Sequence, residues 1–312
     1  MSKDDGKLYL INRYKKEWWE FDDLKKGGRQ AHTKNVKAQL EAIDYYNQKD
    51  RPLEILVING SGRKTGLSPA VEISNSALLI KHAVKQFQDQ KDINIETVNL
   101  REYAIETCNG CVSSASALCG FPCDCWPYDP MQELYPKVLK ADVLLISTPV
   151  NQAAMSTKLK TFVDRLISLD GGFFVAPEQY AESKDEVWRE KCVSVSRGGN
   201  IEYAQRLHGK VCAYFITSKD QNNPADKEYN YGELVSKSLY AGFKEYGCYH
   251  ADDYWVIACG NPEEDYSYDK LRLNNDKNAL SKAEKIAKDA VELAKQFKKN
   301  PPKINPGRTN RT

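Results

Sequence analysis

The chain has 312 residues, 41% of them hydrophobic, which is enough to build one large core or two small ones. Its 45 basic and 43 acidic side chains leave a formal net charge of +2, so no bulk field favours nucleic acid or an anionic membrane surface. Apolar runs fall well short of the roughly 18 residues that mark a membrane span, and Met1-Ser2-Lys3-Asp4-Asp5 opens without a signal-peptide pattern. A cytoplasmic globular protein is expected. Nine cysteines without an export signal argue against a disulfide framework.

In chain order, residues 1–50 form an arm holding an amphipathic stretch from Thr33 to Tyr46 and the pair Trp18-Trp19. Residues 51–297 form the main domain, and residues 298–312, rich in proline, asparagine and basic residues, form a disordered tail. Five apolar runs predict buried strands: Leu53–Ile58, Ile93–Val98, Asp142–Thr148, Val211–Thr217 and Tyr254–Cys259. Helical stripes lie between them. Leu159, Phe162, Val163 and Leu166 share one face, as do Leu234, Val235, Leu239 and Phe243. A last helix, about Asn278–Phe297, turns Leu280, Ala283, Ala287, Val291 and Ala294 inward. This alternation predicts an α/β fold with a five-stranded, doubly wound parallel sheet in three layers, and ligands at the carboxyl ends of the strands. Gly171–Gly209 is too long for a simple connection and suits a lid or an oligomer contact.

The first run ends in Asn59-Gly60-Ser61-Gly62-Arg63-Lys64-Thr65-Gly66, and a helical pattern opens at Ser74-Asn75-Ser76. Glycines for a sharp turn and close approach, hydroxyls at Ser61 and Thr65, and the Arg63 fork make a phosphate cradle. No Gly-Lys-Ser/Thr closes it and the third dinucleotide glycine is missing, so a monophosphate such as that of FMN fits better. After the third run comes Ser147-Thr148-Pro149-Val150-Asn151-Gln152-Ala153-Ala154. In a doubly wound sheet this loop flanks the same crevice, and its N–H groups can meet the polar edge of a flat ring.

Cys108, Cys111, Cys119, Cys123 and Cys125 crowd into 18 residues. Four thiolates suit an iron-sulfur cluster or zinc, but the single residue between Cys123 and Cys125 is awkward for two ligands of one ion. A redox dithiol at Cys108 and Cys111, or packed thiols, stay open as readings. Cys192, Cys212, Cys248 and Cys259 read as core, and His32, His82, His208 and His250 show no metal spacing. Arg197-Gly198-Gly199-Asn200 reads as a solvated turn rather than a nucleotide contact, and no Gly-x-Ser-x-Gly elbow argues for hydrolysis.

Gly60-Ser61-Gly62-Arg63-Lys64, Cys108-Asn109-Gly110-Cys111, Asp129-Pro130-Met131, Thr148-Pro149-Val150 and Leu159-Lys160-Thr161-Phe162-Val163-Asp164-Arg165 together resemble the ordered motifs of the flavodoxin-like NAD(P)H-dependent FMN reductases, a family that includes iron-sulfur flavoproteins. The resemblance is firm over Leu53–Gly172 and weak to Phe297. It implies a flavodoxin-like fold, noncovalent FMN, a homodimer or homotetramer, and hydride passing from NADH or NADPH to a flavin, quinone or other small-molecule acceptor. Carried over, Ser61, Arg63, Lys64, Thr65, Asn75 and Ser76 hold the phosphate and ribityl chain, and Pro149, Val150, Asn151, Gln152 and Ala153 hold the ring. Three departures stand out: an apparent insertion at Leu67–Ile73, Asn151 where an aromatic residue is common, and Ser218-Lys219-Asp220-Gln221 without glycines. Hydride chemistry on the ring requires no side-chain acid or base. A different class of function is an electron carrier whose FMN, with or without an iron-sulfur cluster, serves a protein partner.

Overall fold

A computed structural model describes residues 22–63, 74–110, 128–169, 206–218, 230–259 and 276–303, together with 120, 121, 123, 126, 173, 174 and 273. The long strands are β1 (Leu53–Asn59), β2 (Ile93–Asn99), β4 (Val143–Asn151), β7 (Val211–Ser218) and β8 (Trp255–Cys259). Short pairs complete the strands: β3 (Gly120–Phe121) beside β6 (Phe173–Phe174), and β5 (Ala154–Met155) folded back on β4. The long strands run parallel in the order β2-β1-β4-β7-β8. Numbered by themselves they read 2-1-3-4-5, the flavodoxin-like winding, whose order reverses between β1 and β4. The expected five-stranded doubly wound sheet is present.

The helices are α1 (Asp22–Tyr46), α2 (Asn75–Val84), α3 (Met131–Lys140), α4 (Thr157–Arg165), α5 (Tyr231–Glu245) and α6 (Lys277–Lys299). Alternate strand residues feed opposite layers because successive side chains leave opposite faces of a strand. Leu56, Ile58, Leu144, Ile146, Tyr214 and Ile216 meet α3, α4 and α5, whereas Ile55, Val57, Val143, Leu145, Ala213 and Phe215 meet α2 and α6. Both faces of β1 and β4 are therefore covered, which is why those runs are apolar without alternation.

Several expected boundaries move. β4 continues past Thr148 to Asn151, because Pro149 and Val150 lead straight into the hairpin with β5. Leu234 is 47% exposed: Val235, Leu239 and Phe243 form the stripe that α5 buries, and Leu234 sits one residue off it. The last helix runs to Lys299, where the Lys298 ammonium donates to the Arg51 carbonyl, and beyond it the His208 Nε2–H donates to the Pro302 carbonyl at 3.1 Å. Cys212 and Cys248 are buried as expected, while Cys192 and the Arg197–Asn200 segment lie outside the described residues. So do Trp18, Trp19, most of Gly171–Gly209, the Leu67–Ile73 segment and Lys219 to Gln221.

At the amino ends of the strands, Arg51 forks onto Asp142, with Nη1 and Nη2 each 2.6 Å from a carboxylate oxygen and both side chains buried. Asp142 also accepts the Glu54 N–H, and Arg51 Nε donates to the Tyr46 carbonyl, so one ion pair fastens the exit of α1 to β1 and β4. Buried Lys210 donates to the Leu139 and Ala141 carbonyls at the end of α3, and burial pulls its pKa down to about 7. Removing one member of a buried, hydrogen-bonded ion pair leaves the other uncompensated. Asp142→Ala is expected to cost about 3–5 kcal/mol in urea unfolding, an effect an exposed pair such as Lys160 with Asp164 would not show.

Candidate functional site

The loops that leave β1 and β4 are sewn to each other where the strand order reverses. The Gly60 N–H donates to the Ser147 carbonyl at 2.7 Å, and the Ser156 hydroxyl donates to the Gly60 carbonyl at 2.5 Å. Ser156 also accepts from the Leu159 N–H, so the side chain that caps α4 fixes the first loop. Thr148 Oγ1 takes the Ser156 N–H at 3.0 Å and closes the β4–β5 hairpin behind it. A Cβ on Gly60 would stand 2.8 Å from the Leu159 Cβ and 3.0 Å from the Ser147 carbonyl oxygen. Gly60 is thus required by contact with α4. Neither it nor Gly62 has a positive φ among the described residues, so a sharp left-handed turn is not the reason for these glycines.

Asn59 organises the inner side. Its Oδ1 accepts from the Ser61 N–H and the Ser147 hydroxyl, and its Nδ2 donates to Asn99 Oδ1 on β2. Ser61 is buried, and its Oγ accepts the Arg63 N–H at 3.2 Å, which curls the loop outward. Gly62 is exposed and a Cβ there would meet nothing within 4 Å, so open space lies in front of the loop. The next described segment is α2, capped by Ser74, whose Oγ accepts from the Ala77 N–H. No acidic side chain occupies the first turn of α2, which leaves its dipole end open to an anion. Asn75 is exposed there, whereas the buried Ser76 hydroxyl pairs with Ser74. Lys64 and Thr65 lie outside the described residues.

The β4–β5 hairpin pairs Val150 with Met155 and Asn151 with Ala154, so Gln152 and Ala153 form its two-residue turn. Their φ values are +48° and +61°, as a turn with both central residues left-handed demands. Neither residue is glycine or asparagine, and each carries strain of about 1–2 kcal/mol. Backbone strain of this kind collects at ligand-holding segments. Asn151 through Ala154 are exposed, Pro149 and Val150 half-buried, and the Gln152 and Ala153 N–H groups make no backbone hydrogen bond among the described residues. These features leave room for FMN: a loop with open space at Gly62, hydrogen-bonded to the strand that carries an exposed turn.

The match to known proteins agrees with that geometry. The family model for NADPH-dependent FMN reductases matches residues 53–220, more than half of the chain. The chain belongs to that family. As an FMN reductase it is an NAD(P)H-dependent flavin oxidoreductase. An iron-sulfur flavoprotein of Methanocaldococcus jannaschii is 24% identical over 173 residues, which are 55% of this chain and 78% of the relative. The solved structure of RosB with a bound formylriboflavin phosphate intermediate superposes with a TM-score of 0.54 at 14% identity, over 80% of this chain and 82% of RosB, a likeness of fold. A groove of about 610 Å³ opens beside the FMN reductase's β2 edge, between α2 and residues including Val57, Ile95 and Thr97. It shares Asn59 and Asn99 with the site and runs along the sheet face that α2 covers.

Away from the crevice, Cys108 is half-buried and Cys123 buried, and Cys111, Cys119 and Cys125 lie outside the described residues. Among the described residues no three metal-ligating side chains converge. His82 pairs with Glu284, and His250 meets the Tyr214 hydroxyl at 2.7 Å with burial lowering its pKa to about 4. Both suit packing roles. Sequence reasoning did not single out Asn59, Ser74, Thr148 or Ser156 as site residues. Ser156 and Ser74 carried a usable signal, since each is a serine directly before an amphipathic helix. Two substitutions test the local account. Gly60→Ala should destabilise by about 1–3 kcal/mol through overpacking on Leu159. Ala153→Gly should stabilise by about 1 kcal/mol by relieving its left-handed φ. Thermal unfolding of both variants reads the opposite signs.

Proposed function

We propose that this FMN reductase holds the FMN phosphate between the Gly60–Arg63 loop and the first turn of α2, and the flavin ring against the Pro149–Ala153 turn. The observation that carries the reading is the hydrogen-bonded seam between the two loops through Gly60, Ser147 and Ser156. Ser61, Arg63, Lys64 and Thr65, with Asn75 and Ser76, bind the phosphate and ribityl chain. Pro149, Val150 and Asn151 support the ring, and the Gln152 and Ala153 N–H groups donate to its polar edge. FMN supplies the hydride-accepting and electron-releasing centre. The protein's part is to bind, orient and provide donors where negative charge develops, and no side-chain acid or base is assigned. NADPH or NADH is the reductant, and a flavin, quinone or other small molecule accepts the electrons. The protein works in the cytoplasm as a homodimer or homotetramer. No helix among the described residues is long and apolar enough to cross a membrane.

A second reading, an electron carrier with an iron-sulfur cluster in addition to FMN, is supported by the cysteine segment. The chain leaves at Thr107 and returns at Trp126, whose indole N–H donates to the Thr107 carbonyl at 3.1 Å. Both ends of the five-cysteine stretch thus meet at one neck. Addition of NADPH or NADH to the anaerobic, FMN-loaded protein should bleach the flavin band, and Arg63→Ala should weaken FMN binding about tenfold, the loss of one charge-assisted contact. Flavin that resists both pyridine nucleotides but accepts electrons from a reduced protein would favour the carrier. Failure to bind FMN at all would contradict both.

A further inference from the structure

A third segment reaches the Gly60–Arg63 loop, from β2. That strand ends at Asn99, and a single 3-10 turn, Leu100–Glu102, follows before the chain extends again at Tyr103. Leu100 is fully buried and roots the turn in the core, and the Tyr103 N–H closes it on the Leu100 carbonyl at 3.3 Å. Two neighbours pin it. Asn99 takes the Asn59 amide on its Oδ1 and gives its own amide to Glu102 Oε1 at 3.2 Å, and half-buried Lys158 on α4 donates to the Tyr103 carbonyl at 3.1 Å.

Held this way, the turn carries Arg101 to the loop, where its Nη1 makes a long hydrogen bond of 3.4 Å to the Gly62 carbonyl. The same peptide is gripped from its other side, since the Arg63 N–H donates to Ser61 Oγ. A trans peptide points its C=O and N–H in opposite directions, so Arg101 and Ser61 fix that plane between them. This uses one of the five N–H groups of the guanidinium. Among the described residues Arg101 makes no ion pair, and the acid beside it, Glu102, is engaged by Asn99. No acidic side chain lies on Gly60–Arg63, and the space in front of Gly62 is open. A half-exposed fork of charged donors, resting on a neutral carbonyl at the rim of that space, is set to receive an anion.

We propose that Arg101 is a second guanidinium ligand of the FMN phosphate, which it meets from the β2 side while its contact to Gly62 holds the last peptide of the loop in place. The inference rests on the proposed placement of FMN and adds to it a residue that belongs to neither of the two loops. A phosphate monoester carries between about 1.5 and 2 negative charges at neutral pH, and guanidiniums brought by two different strands match that charge where one does not. The consequence is a preference for the phosphorylated flavin over riboflavin, which lacks the phosphate.

Calorimetric titration of the full-length protein, freed of flavin, with FMN and in parallel with riboflavin tests the assignment. Arg101→Ala should weaken FMN binding about tenfold or more and leave riboflavin binding within about twofold of the wild type. Arg101→Gln can still donate to the Gly62 carbonyl but carries no charge, and it should match the alanine variant. Unchanged FMN affinity in Arg101→Ala would overturn the proposal. So would an equal loss for both flavins, the mark of a loop that has merely shifted, or full FMN affinity in Arg101→Gln. A wild type that binds riboflavin as tightly as FMN would refute the phosphate placement and Arg101 with it. A wild-type preference for FMN that survives intact in Arg101→Ala would remove Arg101 alone and leave the flavin site standing.

Discussion

The interaction on which the site depends is the seam at the carboxyl ends of β1 and β4. Two hydrogen bonds to the Gly60 backbone, one accepted by Ser147 and one given by Ser156, hold two loops that arise almost 90 residues apart in the chain. Its strength comes from burial: Ser147, Thr148 and Ser156 are shielded from water, so each bond acts in a low dielectric and leaves no room for a rival partner. Gly60 is the one residue type that lets α4 approach closely enough for Ser156 to reach, given the 2.8 Å clearance at its absent Cβ. Cap, strand end and loop are therefore one object. The strained turn at Gln152 and Ala153 hangs from it, and the seam over-determines a conformation those residues would not choose alone.

Charge is distributed with the same economy of place. The amino ends of the strands hold Arg51, Asp142 and Lys210 in a buried network that fastens α1 to the sheet. The neck of the cysteine loop holds Arg165 and Asp129. The crevice itself keeps its first loop and helix end free of acidic side chains in the first turn of α2. Fixed ion pairs stiffen the regions that must stay still, and donors are left where an anion arrives.

Much of the fold was legible because it rests on short-range pattern. Leu53–Ile58 and Val211–Thr217 are apolar on both faces since parallel strands are covered twice, and the helical stripe of α4 matched its buried face. The switch point followed from the alternation of elements, and with it the pairing of the two loops. What escaped depends on partners distant in sequence. Gly60 looks like a turn glycine in isolation, and only the position of Leu159 reveals a packing constraint. Asn59 reads as a strand end until Asn99 and Ser147 are seen beside it. Leu234 was misread because an adjacent stripe position differs from it by a single residue. In the cysteine segment, spacing argued against shared ligation by Cys123 and Cys125. It carried no trace of the neck at Glu106, Asp129 and Arg165, where Arg165 is merely the end of a helical motif.

The seam makes a prediction about cooperativity that binding affinity alone does not test. Amide hydrogen exchange measured with and without saturating FMN reads both loops in one experiment. The account predicts that FMN slows exchange together at Ser61–Arg63, the first turn of α2 and Gln152–Ala154, and that Ser156→Ala uncouples the two sets. Protection confined to one loop, or appearing in the groove beside β2 instead, would contradict it.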